Sequence, residues 1–122
     1  MKVLVSSFGY KHGLPPDADF VFDVRCLANP HWVESLRALT GRDAAVIAFL
    51  DEDPDADRMF EDIRGYLETW LPRFAARDRA AVHVAIGCTG GQHRSVYMAE
   101  RLARDLRDRM PDVAVRHTGK AA

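Results

Sequence analysis

Residues 81–95 read AVHVAIGCTGGQHRS, and this stretch decides the expected fold. Its first part, Ala81 to Ile86, is a nearly continuous apolar run, which is typical of a strand in a parallel sheet buried on both faces. A glycine-rich turn follows, and apolar residues then recur at helical spacing from Val96 to about Met110. The stretch therefore predicts a strand, a tight turn and a helix in direct succession.

The flanking sequence continues this alternation of strands and helices. We expect strands at residues 2–7, 19–24 and 113–116, helices at 43–50 and 56–77, and a turn with a short helix between 28 and 41. Pro72 should kink or end the longer helix, because proline lacks the backbone N–H that continues it. The order predicts a single α/β domain over residues 1–122, with three layers and a small, largely parallel sheet.

The composition narrows the classes of function. The chain has 122 residues, 48% of them hydrophobic, which suffices for one core. Its net charge of −1 argues against a general nucleic-acid binder, because such proteins need a basic surface. The charge is uneven: residues 43–68 hold nine acids and two arginines, so 15 basic and nine acidic residues, a balance of +6, lie elsewhere. This split allows a basic face opposite an acidic helix.

Other features predict a cytoplasmic protein with no membrane partner. No apolar run approaches the roughly 20 residues that a bilayer-spanning helix needs, and residues 1–7 are too short for a signal sequence. Cys26 and Cys88 are expected to be reduced thiols. The five histidines are scattered and the cysteines show no paired ligand spacing, so we predict neither a metal nor a cofactor.

The glycine-rich turn is a candidate phosphate site. A strand that runs into such a turn and then a helix brings backbone N–H groups and the positive helix end to one point. Two glycines allow a ligand close to the backbone, two hydroxyls can donate hydrogen bonds, and an arginine can fork two bonds to phosphate oxygens. The ligand-binding loop is therefore expected to comprise Cys88, Thr89, Gly90, Gly91, Gln92, His93, Arg94 and Ser95.

The same loop has a second interpretation as a catalytic one. Five residues separate Cys88 from Arg94, a spacing that resembles the active-site loop of cysteine-dependent phosphatases, in which a thiolate attacks phosphorus. Gly87 stands where those enzymes commonly have histidine. No aspartate lies in an obvious general-acid loop, although Asp23, Asp51 and Asp53 are candidates. We therefore expect a binding domain without catalytic residues, and keep the phosphatase as the alternative.

Five motifs in a fixed order cover most of the chain: SFGYKHG at 7–13, DADFVFDVR at 17–25, NPHW at 29–32, LTG at 39–41 and AIGCTGGQHRSVY at 85–97. Together they resemble the C-terminal domain of the RNase adapter protein RapZ. Full-length members of that family carry a nucleotide-binding domain with a Walker motif in front. No G-x-x-x-x-G-K-[ST] occurs in this chain, so we expect the C-terminal domain alone, without nucleotide hydrolysis.

The resemblance implies a fold like a phosphofructokinase subdomain and a regulatory role. Its expected ligand is an amino-sugar phosphate such as glucosamine-6-phosphate, and its expected macromolecular partners are small RNAs, a ribonuclease and further copies of the chain. The residues implied to hold the phosphate and sugar are Thr89, Gly90, His93 and Arg94, with Asp23 and His31 reaching in from earlier loops.

For RNA, the resemblance implies a set of four residues: Lys11, His12, Arg25 and Arg94. Two departures from the family weaken this expectation. Gln92 replaces a lysine in the glycine-rich loop, and residues 116–122 lack most of the family's basic tail. Because each lost phosphate contact weakens RNA binding, metabolite binding is the stronger expectation.

Overall fold

The computed structural model describes residues 1–119, which form one four-stranded sheet and three α-helices. The strands are β1 (Lys2–Gly9), β2 (Phe20–Asp23), β3 (Ala81–Cys88) and β4 (Val113–His117), and the helices are α1 (Ala44–Asp51), α2 (Pro54–Ala76) and α3 (Arg94–Arg107). All pairs are parallel, in the order β2-β3-β1-β4. The predicted α/β fold with a parallel sheet is confirmed.

The two faces of the sheet are covered by different kinds of structure. The side chains of Val5 and Val84, which pair in the β1–β3 ladder, pack into the core with the three helices. The opposite face is crossed by residues 10–19: His83 in β3 donates its backbone N–H to Asp19 at 2.8 Å, and its Nδ1 lies 3.3 Å from an Asp17 oxygen. The third layer is therefore an irregular segment rather than a row of helices.

The handedness of the crossovers explains this arrangement. The connections from β2 to β3 and from β3 to β4 advance in one direction along the sheet, whereas the connection from β1 to β2 runs back. Since parallel crossovers are almost always right-handed, opposite directions place their connections on opposite faces.

Helix α2 contains Pro72, the residue at which the sequence predicted a kink or an end, and the helix does not end there. The helix runs to Ala76, with Pro72 in its last turns. The Arg73 side chain donates to the Thr69 carbonyl, one turn earlier in the helix, at 2.5 Å. No helix among the described residues is long and apolar enough to cross a membrane.

The segment between 28 and 41 contains two short 3-10 helices, Pro30–Trp32 and Glu34–Leu36, instead of the expected short α-helix. Asn29 sets the first of them, because its side-chain oxygen accepts a hydrogen bond from the backbone N–H of His31 at 3.1 Å. Pro30 follows as the first residue of the turn and is buried.

The carboxyl ends of three strands meet at one edge of the sheet. Gly9 at the end of β1 pairs with Cys88 at the end of β3, and Asp23 at the end of β2 pairs with Gly87. Ligands of parallel sheets bind outside this edge. The loop of residues 89–93 opens there, directly before α3 begins.

Candidate anion-binding site

A cavity of about 880 Å³ opens at the carboxyl edge of the sheet. Most of the loop and cationic residues predicted from the sequence line it: Lys11, His12, His31, Cys88, Thr89, Gly90, Gln92, His93 and Arg94. Within residues 1–119, the lining contains no carboxylate. The cavity is therefore electropositive and suited to an anion.

The backbone of the glycine-rich loop supplies hydrogen-bond donors to this cavity. Within the part of the chain that the structure describes, no N–H group of residues 90–96 donates to a carbonyl. The last of these groups belong to the first turn of α3, whose N–H groups have no partner inside the helix. A row of free N–H groups at a helix start is an established way to hold a phosphate.

The two loop glycines have different roles. Gly91 has a positive φ of 74°, and a Cβ at this position would lie 2.7 Å from the backbone nitrogen of Gly9. The space around Gly90 is open by comparison, because a Cβ on this residue would meet only the end of the Lys11 side chain, at 3.8 Å. Gly91 thus packs the loop against β1, and Gly90 leaves room beside the cavity.

Lys11 lies beside the loop. Its backbone N–H donates to the Thr89 carbonyl at 3.2 Å, which ties the 10–12 turn to the loop. Its Nζ is 4.0 Å from the position that a Cβ on Gly90 would occupy. The exposed ammonium group therefore lies beside the loop at Gly90, where its full charge adds to the partial charges of the loop N–H groups.

Arg94 is buried, with 5% of its surface exposed, and it has a structural task that the sequence did not reveal. Its Nη1 donates to the backbone carbonyls of Arg25, at 2.5 Å, and Leu27, at 3.2 Å. Arg94 therefore fixes the segment after β2, and only the rest of its guanidinium group is available to a ligand.

Gln92 and His93 fasten the back of the loop to the 36–41 segment. The Gln92 side chain donates to the carbonyls of Arg37 and Leu39, both at 2.7 Å, and the His93 Nε2 lies 3.1 Å from the Leu36 carbonyl. Burial lowers the pKa of His93 below its usual value, so the ring is neutral at neutral pH and contributes hydrogen bonding rather than charge.

Cys88 and Ser95 form a contact at the base of the loop. The Cys88 thiol donates to the Ser95 hydroxyl at 3.1 Å, and both side chains are buried. Cys88 lines the cavity, whereas Ser95 and Gly91 do not. Cys26, the other free cysteine, is exposed.

Asp23 and Arg25 lie outside the cavity lining and bind each other. Arg25 donates to both carboxylate oxygens of Asp23, with the closest contact at 2.7 Å, and its guanidinium group lies 3.9 Å above the Tyr10 ring. These hydrogen bonds hold the pKa of Asp23 below its usual value. The proposed contacts of Asp23 with a sugar and of Arg25 with RNA remain predictions.

Four lining residues were not among the predicted site residues: Asn29, Trp32, Thr118 and Gly119. Asn29 and Trp32 belong to the NPHW motif, and their adjacency to His31 was the available signal. Thr118 follows the last strand, where its N–H and hydroxyl both donate to the Ser7 carbonyl. Ligands of parallel sheets bind outside the carboxyl ends of the strands, and Thr118 lies directly after the carboxyl end of β4, so its position was the available signal.

Comparison with known proteins agrees with the resemblance seen in the motifs. The model of the family described as RapZ C-terminal domain matches residues 1–120 of this chain. Relatives called nucleotide-binding protein occur in Pseudomonas fluorescens, 59% identical over 93% of this chain, and in Marinobacter nauticus, 54% identical over 97%. This chain spans about 40% of the length of each relative. The chain belongs to the RapZ C-terminal domain family.

Proposed function

We propose that this protein is a regulatory domain that binds a phosphorylated metabolite, an amino-sugar phosphate such as glucosamine-6-phosphate. The observation that carries the proposal is the set of N–H groups at residues 90–96 that donate to no carbonyl of the described residues, next to a cavity that Gly90, Gln92, His93 and Arg94 line and that has no carboxylate in its described lining. A phosphate placed there accepts several backbone hydrogen bonds at once.

The charges around the loop support a phosphate over a carboxylate ligand. Lys11 adds an ammonium group, and the free part of the Arg94 guanidinium group adds further donors. A phosphomonoester carries up to two negative charges and can use all of these donors together. A cavity of about 880 Å³ also leaves room for more than the phosphate itself.

Calorimetry with glucosamine-6-phosphate, glucosamine and inorganic phosphate tests the proposal. We expect both phosphate compounds to bind and glucosamine to bind far more weakly. Lys11→Met should lower the affinity for the phosphate compounds about fivefold, because it removes one charge-assisted contact. Lys2→Met is the matched control, since Lys2 is also exposed but begins β1 at the opposite end from the cavity. Equal losses in the two variants would contradict a site at Lys11.

The cysteine-dependent phosphatase remains the second candidate, and the contact between Cys88 and Ser95 favours it. A thiolate at Cys88 would face the same cavity as the N–H groups. Two features weigh against catalysis. The described lining offers no carboxylate as general acid, and Nη1 of Arg94 already donates to two backbone carbonyls, so it is not free to hold a reacting phosphate.

Replacement of Cys88 separates binding from catalysis. Cys88→Ser should leave the affinity for glucosamine-6-phosphate near that of the unmodified protein, because a serine hydroxyl fits the same place and can still bond Ser95. The unmodified protein should release negligible phosphate from an aryl phosphate. Measurable turnover that disappears in Cys88→Ser would establish the phosphatase instead.

RNA binding is a further part of the proposal. Lys11, His12 and Arg94 line the metabolite cavity, so a bound sugar phosphate and an RNA phosphate would compete for the same donors. Arg25 is paired with Asp23, and this ion pair would have to break before Arg25 could contact RNA. Lys120, from the short basic tail, lies outside the described residues.

A further inference from the structure

Trp32 is the most exposed of the large hydrophobic side chains in the described part of the chain, with 77% of its surface accessible. A single exposed hydrophobic residue is ordinary on a protein surface. Trp32, however, lines the same cavity as the free N–H groups of the loop. An indole that remains uncovered at the wall of a cavity is available to stack on a ligand.

The structure fixes the position of Trp32 relative to the loop. Its neighbour His31 packs edge-on against the indole, with 5.4 Å between ring centroids, and the Arg37 side chain donates to the His31 carbonyl at 2.9 Å. The following residues are in turn fastened to the loop by Gln92, which donates to the carbonyls of Arg37 and Leu39. The stacking surface and the phosphate donors are therefore parts of one preorganised site.

The rest of the lining indicates which ring the site takes. Trp32 is the one large apolar side chain among the described lining residues, so it offers an apolar surface to one face of a ring. Asn29, His31 and Thr118 add polar groups to the same lining: the Asn29 amide NH2 can donate, and the Thr118 hydroxyl oxygen can accept. A pyranose matches this pattern, because one of its faces is apolar while its rim carries hydroxyl groups. A nucleobase would gain from a second apolar wall.

We propose that Trp32 is the specificity-determining residue of the site, and that it stacks on the pyranose ring of a hexose 6-phosphate whose phosphate lies on the 90–96 loop. This inference rests on the proposed function and adds the way in which the unphosphorylated part of the ligand is recognised.

Calorimetric titrations compare the protein with Trp32→Ala and Trp32→Phe, using glucosamine-6-phosphate, inorganic phosphate and a nucleoside monophosphate as ligands. Trp32→Ala should lower the affinity for glucosamine-6-phosphate about tenfold and leave that for inorganic phosphate unchanged, while Trp32→Phe should recover most of the loss. Trp70→Ala is the matched control, since Trp70 is also exposed but lies on α2, outside the cavity.

Fluorescence supplies an independent measurement. The chain has two tryptophans, so Trp70→Phe leaves Trp32 as the single indole emitter. Glucosamine-6-phosphate should change its emission, and inorganic phosphate should change it far less. If both ligands bind but Trp32→Ala affects neither, the stacking role is wrong while the proposed function stands. If only the nucleoside monophosphate binding depends on Trp32, the pyranose assignment is wrong. If no phosphate compound binds the unmodified protein, the proposed function fails as well.

Discussion

Gly91→Ala is expected to destabilise the fold by about 3 kcal/mol and to abolish ligand binding in any molecules that remain folded. The added methyl group forces a positive φ on alanine and places a Cβ 2.7 Å from the Gly9 nitrogen and 2.9 Å from the Phe8 carbonyl carbon. Both contacts are with the backbone of β1, which cannot move without breaking the central ladder. The loop must therefore shift, and its N–H groups lose their common direction. Urea unfolding monitored by circular dichroism measures the first effect.

Two other glycines provide controls for this substitution. Gly90→Ala adds the same methyl group to the same loop, but it meets only the flexible end of Lys11, so we expect a loss below about 1 kcal/mol. Gly65→Ala lies in α2 with open space around it and should stabilise the protein by about 0.5 to 1 kcal/mol. Similar unfolding midpoints for the two loop variants would contradict the packing described for Gly91.

Arg94→Ala is expected to lower the affinity for a phosphate ligand by about tenfold to a hundredfold. It should also destabilise the protein by about 2 kcal/mol, because the carbonyls of Arg25 and Leu27 lose a buried donor. Arg94→Lys keeps the charge but lacks the planar guanidinium group with its several N–H donors. It should therefore recover only part of the lost ligand affinity and only part of the lost stability. Calorimetry and urea unfolding measure the two quantities separately.

The matched control for Arg94 is Arg104→Ala, on the same helix and with an exposed side chain. It should change the free energy of unfolding by less than about 0.5 kcal/mol and leave the dissociation constant unaltered. An Arg94→Ala protein that is destabilised but binds phosphate normally would show that the guanidinium group only supports the 25–27 segment.

The strand, the loop and the helix around residues 81–107 could be predicted because each carries a local signal. The apolar run marks β3, the paired glycines mark the turn, and helical spacing marks α3. The third layer was harder to identify, because residues 10–19 contain prolines and glycine without periodicity, and their place depends on crossover handedness.

The roles of individual site residues depended on contacts between distant parts of the chain. Arg94 bonds carbonyls more than 60 positions earlier in the sequence, and Gln92 bonds carbonyls more than 50 positions earlier. Sequence spacing alone cannot show such contacts, so both residues were expected simply to face a ligand. Trp32 was missed because an aromatic residue after proline and histidine gives no sign of whether it is covered or exposed.

The N–H groups of residues 90–96, which donate to no carbonyl of the described residues, are the proposed phosphate site. A crystal structure of the protein grown with inorganic phosphate tests it most directly, because the bound anion and its donors are seen together. We expect a phosphate within hydrogen-bonding distance of several of these N–H groups, with the Lys11 ammonium group beside it. An empty loop in crystals that hold phosphate elsewhere on the protein would contradict it.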